Sequence, residues 1–424
     1  VENIIFERYI TTGNNQGEEI FFRLSANNQS PLALVQPVSI VMTEAFSFAS
    51  PIITITFVDG AGYYFNVEKI NTDEVFYLSI GTEPKDTIDI PIKISKISLK
   101  STVMGRSDQV AYKISFVHQG WNELLNVRHN RSWVGKKYSE IVEEIATECG
   151  YDEIEVSPSR DIRETVIQPY WNNLTFLKWL QERSIPEDYD DHFEFGCDIT
   201  GKFFFKSVSN IIDEQKANAE NQTIPSFKMQ SKTSTNLSDV ESEYTYFTDF
   251  KSSEFYMDSV INGSGGTLSM YYDWDNGTFP TQDNKLSTSN SYTLSDYTSL
   301  HENHEVSKMK IFNGRNKNAN NIGNNVLSST ALSMNQFNIT IEGTHKINIG
   351  QLVEVLIEPD SEILKTPISL LYSGFYVVAG VTHIVALEQD NRFITTLDLA
   401  RQGYDDKLLE GYVTTSLGKF VGNS

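Results

Sequence analysis

Along much of the chain, apolar side chains alternate with polar ones. Ile53, Ile55 and Phe57 are separated by Thr54 and Thr56. That period of two puts one face of a strand in a core and the other in water. Ile90, Ile92 and Ile94 repeat the pattern, and Ile97 and Leu99 continue it on the opposite parity. A slip of one residue turns every side chain to the wrong face, so the spacing predicts a β-bulge near Ser95 and Lys96. Turn signals at Asp59-Gly60-Ala61-Gly62, Gly81 and Pro84 separate these strands. Residues 1–128 therefore read as one antiparallel β-domain, a sandwich or a barrel.

The period then changes. Tyr138, Ile141, Val142, Ile145, Ala146 and Cys149 recur at helical spacing, with Ser139 as the expected N-cap and Gly150 as the stop. A second helix is expected over 173–184, capped by Asn173, with Leu174, Leu177 and Leu180 on one side and Pro186 beyond its end. Phe193-Glu194-Phe195 and Phe203-Phe204-Phe205 read as a hairpin, which completes a small α/β unit. Residues 211–240 are polar and read as a linker or exposed excursion. Tyr244 to Phe247 resumes strand. Met270 to Phe279 reads as a hairpin with Asn276-Gly277 in a primed turn. A Ser- and Asn-rich excursion covers 281–325. The last β-region is the clearest: Phe337, Ile339 and Ile341 alternate, Leu352–Ile357 and Phe375–Val381 follow, and Phe393, Thr395, Leu397 and Leu399 share one face of the final strand.

Composition narrows the function classes. The 424 residues carry 34 basic and 56 acidic side chains, a net charge of −22. That excess argues against a protein that grips nucleic-acid phosphates. Aromatics reach 12%, too many for a disordered chain. Two cysteines, Cys149 and Cys197, are too few for a disulfide scaffold and read as buried thiols. The sequence has no run of about 18 apolar residues to span a membrane. Val1-Glu2-Asn3-Ile4 has no secretory character, so folding in a cytoplasm is expected.

Sequence-level chemistry is sparse. There is no Walker loop, no GxGxxG, no GxSxG and no zinc spacing of cysteines. His301 and His304 stand three apart, where a helical metal pair needs four, and read as a solvated loop. Asp273 to Gly277 resembles a calcium loop in part, but its glycine comes one place early and Asn284 stands where a bidentate Glu is needed. The acidic run Glu187-Asp188-Tyr189-Asp190-Asp191 could supply the paired carboxylates of a glycosidase, and reads as solvated surface. No catalytic, cofactor-binding or metal-ligating residue is assigned.

Two stretches, in order, carry a resemblance. The first is Tyr138-Ser139-Glu140-Ile141-Val142-Glu143-Glu144-Ile145-Ala146, then Gln168, then Leu174-Thr175-Phe176-Leu177-Lys178-Trp179-Leu180-Gln181-Glu182-Arg183. The second starts at Asn338-Ile339-Thr340-Ile341-Glu342-Gly343 and runs through Ile349-Gly350-Gln351-Leu352-Val353-Glu354-Val355. It continues with Tyr372-Ser373-Gly374-Phe375-Tyr376-Val377-Val378-Ala379-Gly380-Val381-Thr382-His383 and closes on Phe393 to Arg401. This order resembles the baseplate hub proteins of contractile-tailed phages, T4-like hubs among them, and the hub part of type VI secretion spike proteins.

The resemblance implies a mainly β fold with an α+β insertion: two tube-like antiparallel β-barrels plus a small α/β domain. The first barrel is expected over 1–128, the α/β domain and linker over 129–235, the second barrel over 236–403 and a tail over 404–424. It implies a non-enzymatic virion protein, made in the host cytoplasm and built into the tail baseplate. A homotrimer would match the six-fold tail tube on one side and the three-fold central spike on the other, and would touch other baseplate proteins. Because the chain stops at Ser424, a separate spike protein is the expected partner, with the tail from Gln402 as a candidate contact. Three copies at −22 each would carry −66, and acid along a channel would repel passing DNA. His383 is expected to be a structural strand histidine, and Asp398 and Arg401 to lie on opposite strand faces. The competing readings are a carbohydrate-binding tail or adhesin module with exposed aromatic platforms, and a cell-wall glycosidase.

Overall fold

The computed structural model describes residues 3–11, 19–27, 32, 35–60, 73–100, 110–160, 165–188, 191–218, 224–229, 245–247, 250–254, 267–271, 277–278, 281–284, 297–298, 308–312, 325, 328–329, 332, 335–357, 372–387, 392–401 and 403–404. The first strands are β1 (Asn3–Thr11), β2 (Glu19–Ala26), β3 (Gln36–Ala45), β4 (Ile52–Asp59), β5 (Val75–Gly81), β6 (Thr87–Lys100) and β7 (Val110–His118). An insertion follows: α1 (Gln119–Asn126), β8 (Arg128–Val134), α2 (Tyr138–Glu148), β9 (Ile154–Val156), β10 (Thr165–Asn172), α3 (Asn173–Arg183), β11 (Phe193–Cys197), β12 (Phe203–Ser207) and α4 (Val208–Asn218). Then come β13 (Ser226–Met229), β14 (Thr245–Phe247), β15 (Phe250–Glu254), β16 (Thr267–Tyr271), β17 (Thr281–Asn284), β18 (Tyr297–Thr298) and β19 (Lys308–Phe312). The chain closes with β20 (Asn335–Glu342), β21 (Leu352–Leu356), β22 (Gly374–Ala386), β23 (Arg392–Arg401) and β24 (Gly403–Tyr404).

Fourteen of these strands form one curled sheet, in the order β14-β13-β21-β22-β3-β4-β7-β6-β5-β2-β1-β23-β20-β15. β22 also pairs with β23. The pairings β3-β4-β7-β6-β5-β2-β1 therefore close into a ring through β23 and β22, from the far end of the chain. Its inside is a dry core of Ile40, Met42, Ile55, Phe57, Phe76, Leu78, Ile92, Ile114 and Phe116, joined by Val385 and Phe393 of the closing hairpin. A second core, on β20 to β23 with β13 and β14, holds Phe227, Phe247, Phe337, Ile339, Val353, Val355, Tyr376, Val378, Val381, Leu397 and Leu399. One hairpin, β22–β23, thus feeds both cores. The protein is mainly β, with a small helical insertion.

The bulge expected near Ser95 is present. Ile94 faces Phe116 and Lys96 faces Ser115, so Ser95 is the extra residue, and its hydroxyl donates to the Ser115 carbonyl at 3.0 Å. Past it, Ile97 faces Ile114, which accounts for the parity change in the sequence. β16 and β17 pair antiparallel on either side of Gly277, which has φ +62°, while Asn276, and with it the expected primed turn, lies outside the described residues.

Several local expectations need correcting. Helix α2 begins two residues earlier than Ser139 implied. Its cap is Lys137, whose N–H donates to the Glu140 carboxylate at 2.8 Å, while Ser139 is buried against Ser159. A glutamate reaching back from the third helical position does the capping that a serine was expected to do. Helix α3 is capped by Asn172, which accepts from the Thr175 N–H at 2.8 Å. Asn173 instead turns inward, where it accepts from Gln168 at 2.9 Å. Residues 211–218 are not linker but most of α4, because Ile211 and Ile212 bury against the sheet. Helix α1 carries too few apolar positions to be read from its pattern; His118 caps it by accepting from the Gly120 N–H at 3.1 Å.

Candidate assembly surface

Within the large sheet lies a run of eight strands, β15-β20-β23-β22-β3-β4-β7-β6. Every neighbouring pair in it is antiparallel. The run is two copies of one four-strand unit. In chain order β3, β4, β6 and β7 stand first, second, fourth and third across the sheet; β15, β20, β22 and β23 stand the same way. The likeness extends to detail. Both β6 and β22 are long strands, of 14 and 13 residues. Each carries one bulge against its hairpin partner, between Ile94 and Lys96 and between Val378 and Gly380. Each uses the stretch before its bulge to pair with a shorter strand on one side, β5 for β6 and β21 for β22.

Beyond the bulges the two copies differ. Gly380–Ala386 pairs with β3 over seven residues, and this joins the two units. The equivalent stretch, 96–100 of β6, pairs only with β7 among the described residues, and β15 pairs only with β20. Among the described residues the eight-stranded wall ends in two open edges. Exposed backbone donors and acceptors of that kind template pairing with another chain.

The junction between the units is held by a buried acid. Glu44 lies on the inward face of β3, 1% exposed. One carboxylate oxygen accepts from the Ile199 N–H at 2.5 Å, in the β11–β12 turn of the insertion. The other accepts from the Ile349 N–H at 3.1 Å, ahead of β21. One side chain therefore ties the first barrel, the insertion and the second barrel together. Burial pushes its pKa well above the usual carboxylate value, and the nearby Asp198 adds to the shift. The insertion is also stitched to the β3–β4 turn by Ser47 N–H to Phe195 O at 2.7 Å and Cys197 N–H to Phe48 O at 3.1 Å. Gln215 of α4 donates to the Gly350 carbonyl at 2.8 Å.

The shared hairpin explains the residues of the closing sequence stretch. Gly374 opens β22 at φ +128°. Arg401, 2% exposed, donates to the Ser373 carbonyl at 3.1 Å and lies 4.4 Å from the centre of the Tyr376 ring. Asp398 is on the exposed face with Asn338, so the expected separation from Arg401 holds. His383 is fully buried, with Nδ1 3.0 Å from the Thr395 hydroxyl; burial brings its pKa down to about 4, and it is the structural strand histidine expected. Gly343 permits a close approach, since a Cβ there would sit 2.1 Å from Phe393 Cγ.

The other residues singled out from sequence do not converge. His301, His304 and Asp273 to Asn276 lie outside the described residues. The acidic run splits. Glu187 pairs with Lys137 at 3.1 Å on the surface, whereas Asp191 is buried and accepts from the Ser209 N–H at 2.7 Å, contrary to the expected solvated stretch. Tyr189 and Asp190 lie outside the described residues. Cys149 and Cys197 are free, buried thiols, as expected, and burial raises Cys149 to about 11. The described tryptophans are buried or half-buried: Trp133 and Trp179 stack on Phe176 at 5.4 and 5.5 Å in the core of the insertion. Among the described residues no helix is long and apolar enough to cross a membrane.

No protein-family model and no curated protein matches the sequence. Solved structures do. The 43 kDa tail protein of prophage MuSo2 from Shewanella oneidensis superposes with a TM-score of 0.55 at 11% identity, covering 94% of this chain and 98% of that one. A tail protein from Neisseria meningitidis MC58 does so at 0.54 and 9% identity, over 93% and 96%. The chain has the fold of phage tail proteins. An Escherichia coli type VI secretion component, described as similar to T4 tail proteins, matches at a TM-score of 0.46 and 14% identity, over 90% and 78%. Sequence pattern would not have found the open edges that this fold presents, because they are defined by which strands pair and not by which residues are apolar.

Proposed function

We propose that the protein is the hub of a contractile-tail baseplate or a related injection device: a non-enzymatic homotrimer that joins a six-fold tube to a three-fold spike around a channel for DNA. The observation that carries this reading is the duplicated four-strand unit with its open edges. Inside one chain, the stretch of β22 past its bulge pairs with β3. By the same geometry, the stretch of β6 past its bulge pairs with β15 of the next copy. The wall has an even number of strands, so this contact continues the antiparallel alternation. Such a contact is head-to-tail, and it yields a closed ring when the rotation closes.

Three copies contribute six four-strand units, which is how a trimer presents six-fold character to a tube. Their 24 strands, eight from each copy, at about 4.8 Å spacing, make a backbone circle about 37 Å across before strand tilt widens it. Side chains reaching about 5 Å inward leave roughly 27 Å, enough for a duplex roughly 20 Å wide. Both barrel cores lie on one side of the wall, since Met42, His383 and Val385 point the same way as Glu44. The bulky barrels belong on the outer, longer arc, which turns the opposite face to the channel.

The test is mass in solution, alone and with tube and spike proteins of the same particle. A three-copy assembly is expected. A chain that stays monomeric in the presence of both partners overturns the reading.

A further inference from the structure

The face that this hub reading turns toward the channel has an unusual chemistry for so acidic a chain. On its three middle strands the outward side chains of 380–386, 39–45 and 52–58 include no charged group. The inward and outward positions are distinguished by burial, which alternates strictly along β4. Outward stand Thr382 and Ile384 on β22, Val41 and Thr43 on β3, and Thr54 and Thr56 on β4, all half-buried or exposed. The one acid in these segments, Glu44, points the other way and is buried. The hydroxyls hold one another across strands: Thr43 lies 3.4 Å from Thr382, and Thr54 lies 3.1 Å from Ser115. Charge stands on the two adjoining strands: Lys113 on β7, and on β23 Asp398 and Arg392, which face Gly380 and Ala386. The surface is also continuous across both barrels, because β22 and β3 are paired directly.

We propose that this uncharged, β-branched face is the surface along which the duplex slides, and that its neutrality, in place of a lining of acid, is what keeps DNA moving. The proposal rests on the hub reading for its placement and goes beyond it in naming the contact chemistry. A duplex carries about one negative charge per 1.7 Å, and each lysine or arginine that meets a phosphate holds it by releasing counterions. A cationic wall would trap DNA. An acidic wall would repel it over about 8–10 Å and raise the barrier to entry. A wall of short β-branched side chains does neither. Threonine and isoleucine are stiff at χ1, so little side-chain freedom is lost when a duplex passes.

The experiment uses Thr382→Lys, which puts three lysines into a ring, beside Ser132→Lys on the exposed outer ribbon of the insertion. The assembled protein is mixed with a short labelled duplex, and binding is followed by anisotropy from 50 to 200 mM salt, with mass measured for each variant. Wild type and Ser132→Lys are expected to bind little. Thr382→Lys is expected to bind, with affinity falling about 40-fold over that range, as three contacts at a slope near −0.9 each require. Thr43→Lys, its cross-strand neighbour, serves as the second variant and should behave alike. A ring of either variant that leaves DNA unbound, or a wild-type ring that binds it as tightly, overturns this proposal and leaves the hub reading standing. A wild-type chain that forms no ring overturns both.

Discussion

Glu44 carries more of the architecture than any other side chain. It shares the inward parity of Ile40 and Met42, so an acid on an apolar strand face was a signal available in the sequence. What the sequence could not supply were the partners, Ile199 and Ile349, which lie 155 and 305 residues away. Replacing Glu44 by Gln keeps the shape but turns an amide NH2 toward one of the two backbone donors. Leaving that N–H unpaired costs about 1–3 kcal/mol. The pH dependence has a definite sign. The folded pKa is raised above the unfolded value of 4.5, chiefly by burial and then by Asp198. The folded state therefore holds a proton that the unfolded state releases, and this contribution is lost as pH rises from 4.5 through the folded pKa. Glutamine has no such proton. The melting-temperature advantage of wild type over Glu44→Gln is thus expected to shrink between pH 5 and pH 8. An advantage that grows with pH would contradict the assignment.

At the scale of elements, legibility followed locality. The β6 bulge was readable because two in-register runs of isoleucine stood on opposite parity. Helices α2 and α3 were readable from spacing, but their caps were off by two residues and by one, since Lys137 relies on Glu140 and Asn172 competes with a second asparagine. The pairing of β22 with β3 was not readable at all: both strands show the same alternation, and nothing local says which edge meets which. Ser95 marks where β6 leaves β5, whose pairing ends at Lys93. Deleting Ser95 leaves the partners Ile94–Phe116 and Lys96–Ser115 intact but removes the bend. The barrel core is expected to survive, with one cooperative melt, while the open edge of 96–100 no longer points away from β5. Loss of the three-copy mass with retained folding is the expected result. A deletion variant that assembles normally would show that the bulge does not shape the edge.

On the scale of the whole molecule, the internal β22–β3 contact is a template for the contact between copies, and it fixes a register that can be tested. Carrying the β22–β3 register over, with Ile97 in the place of Val381 and Phe250 in that of Ile40, sets Ser98 opposite Ser253. Both stand at register positions of the face away from the cores, so replacing both by cysteine adds no bulk to either core. In the doubly substituted chain, Ser98→Cys with Ser253→Cys, oxidation should link each copy to the next. A closed ring gives covalent dimers and then trimers on a non-reducing gel, and nothing larger. Either single substitution should give no ladder, because like edges do not meet in a head-to-tail ring. A ladder that climbs past three would mean that the rotation fails to close and that the chain forms a filament. Cross-linking by one single substitution would mean a two-fold contact between like edges. In either of those cases three copies could not imitate six, and the match to a tube would be lost. A ladder that stops at three would establish both the register and the copy number from the same gel.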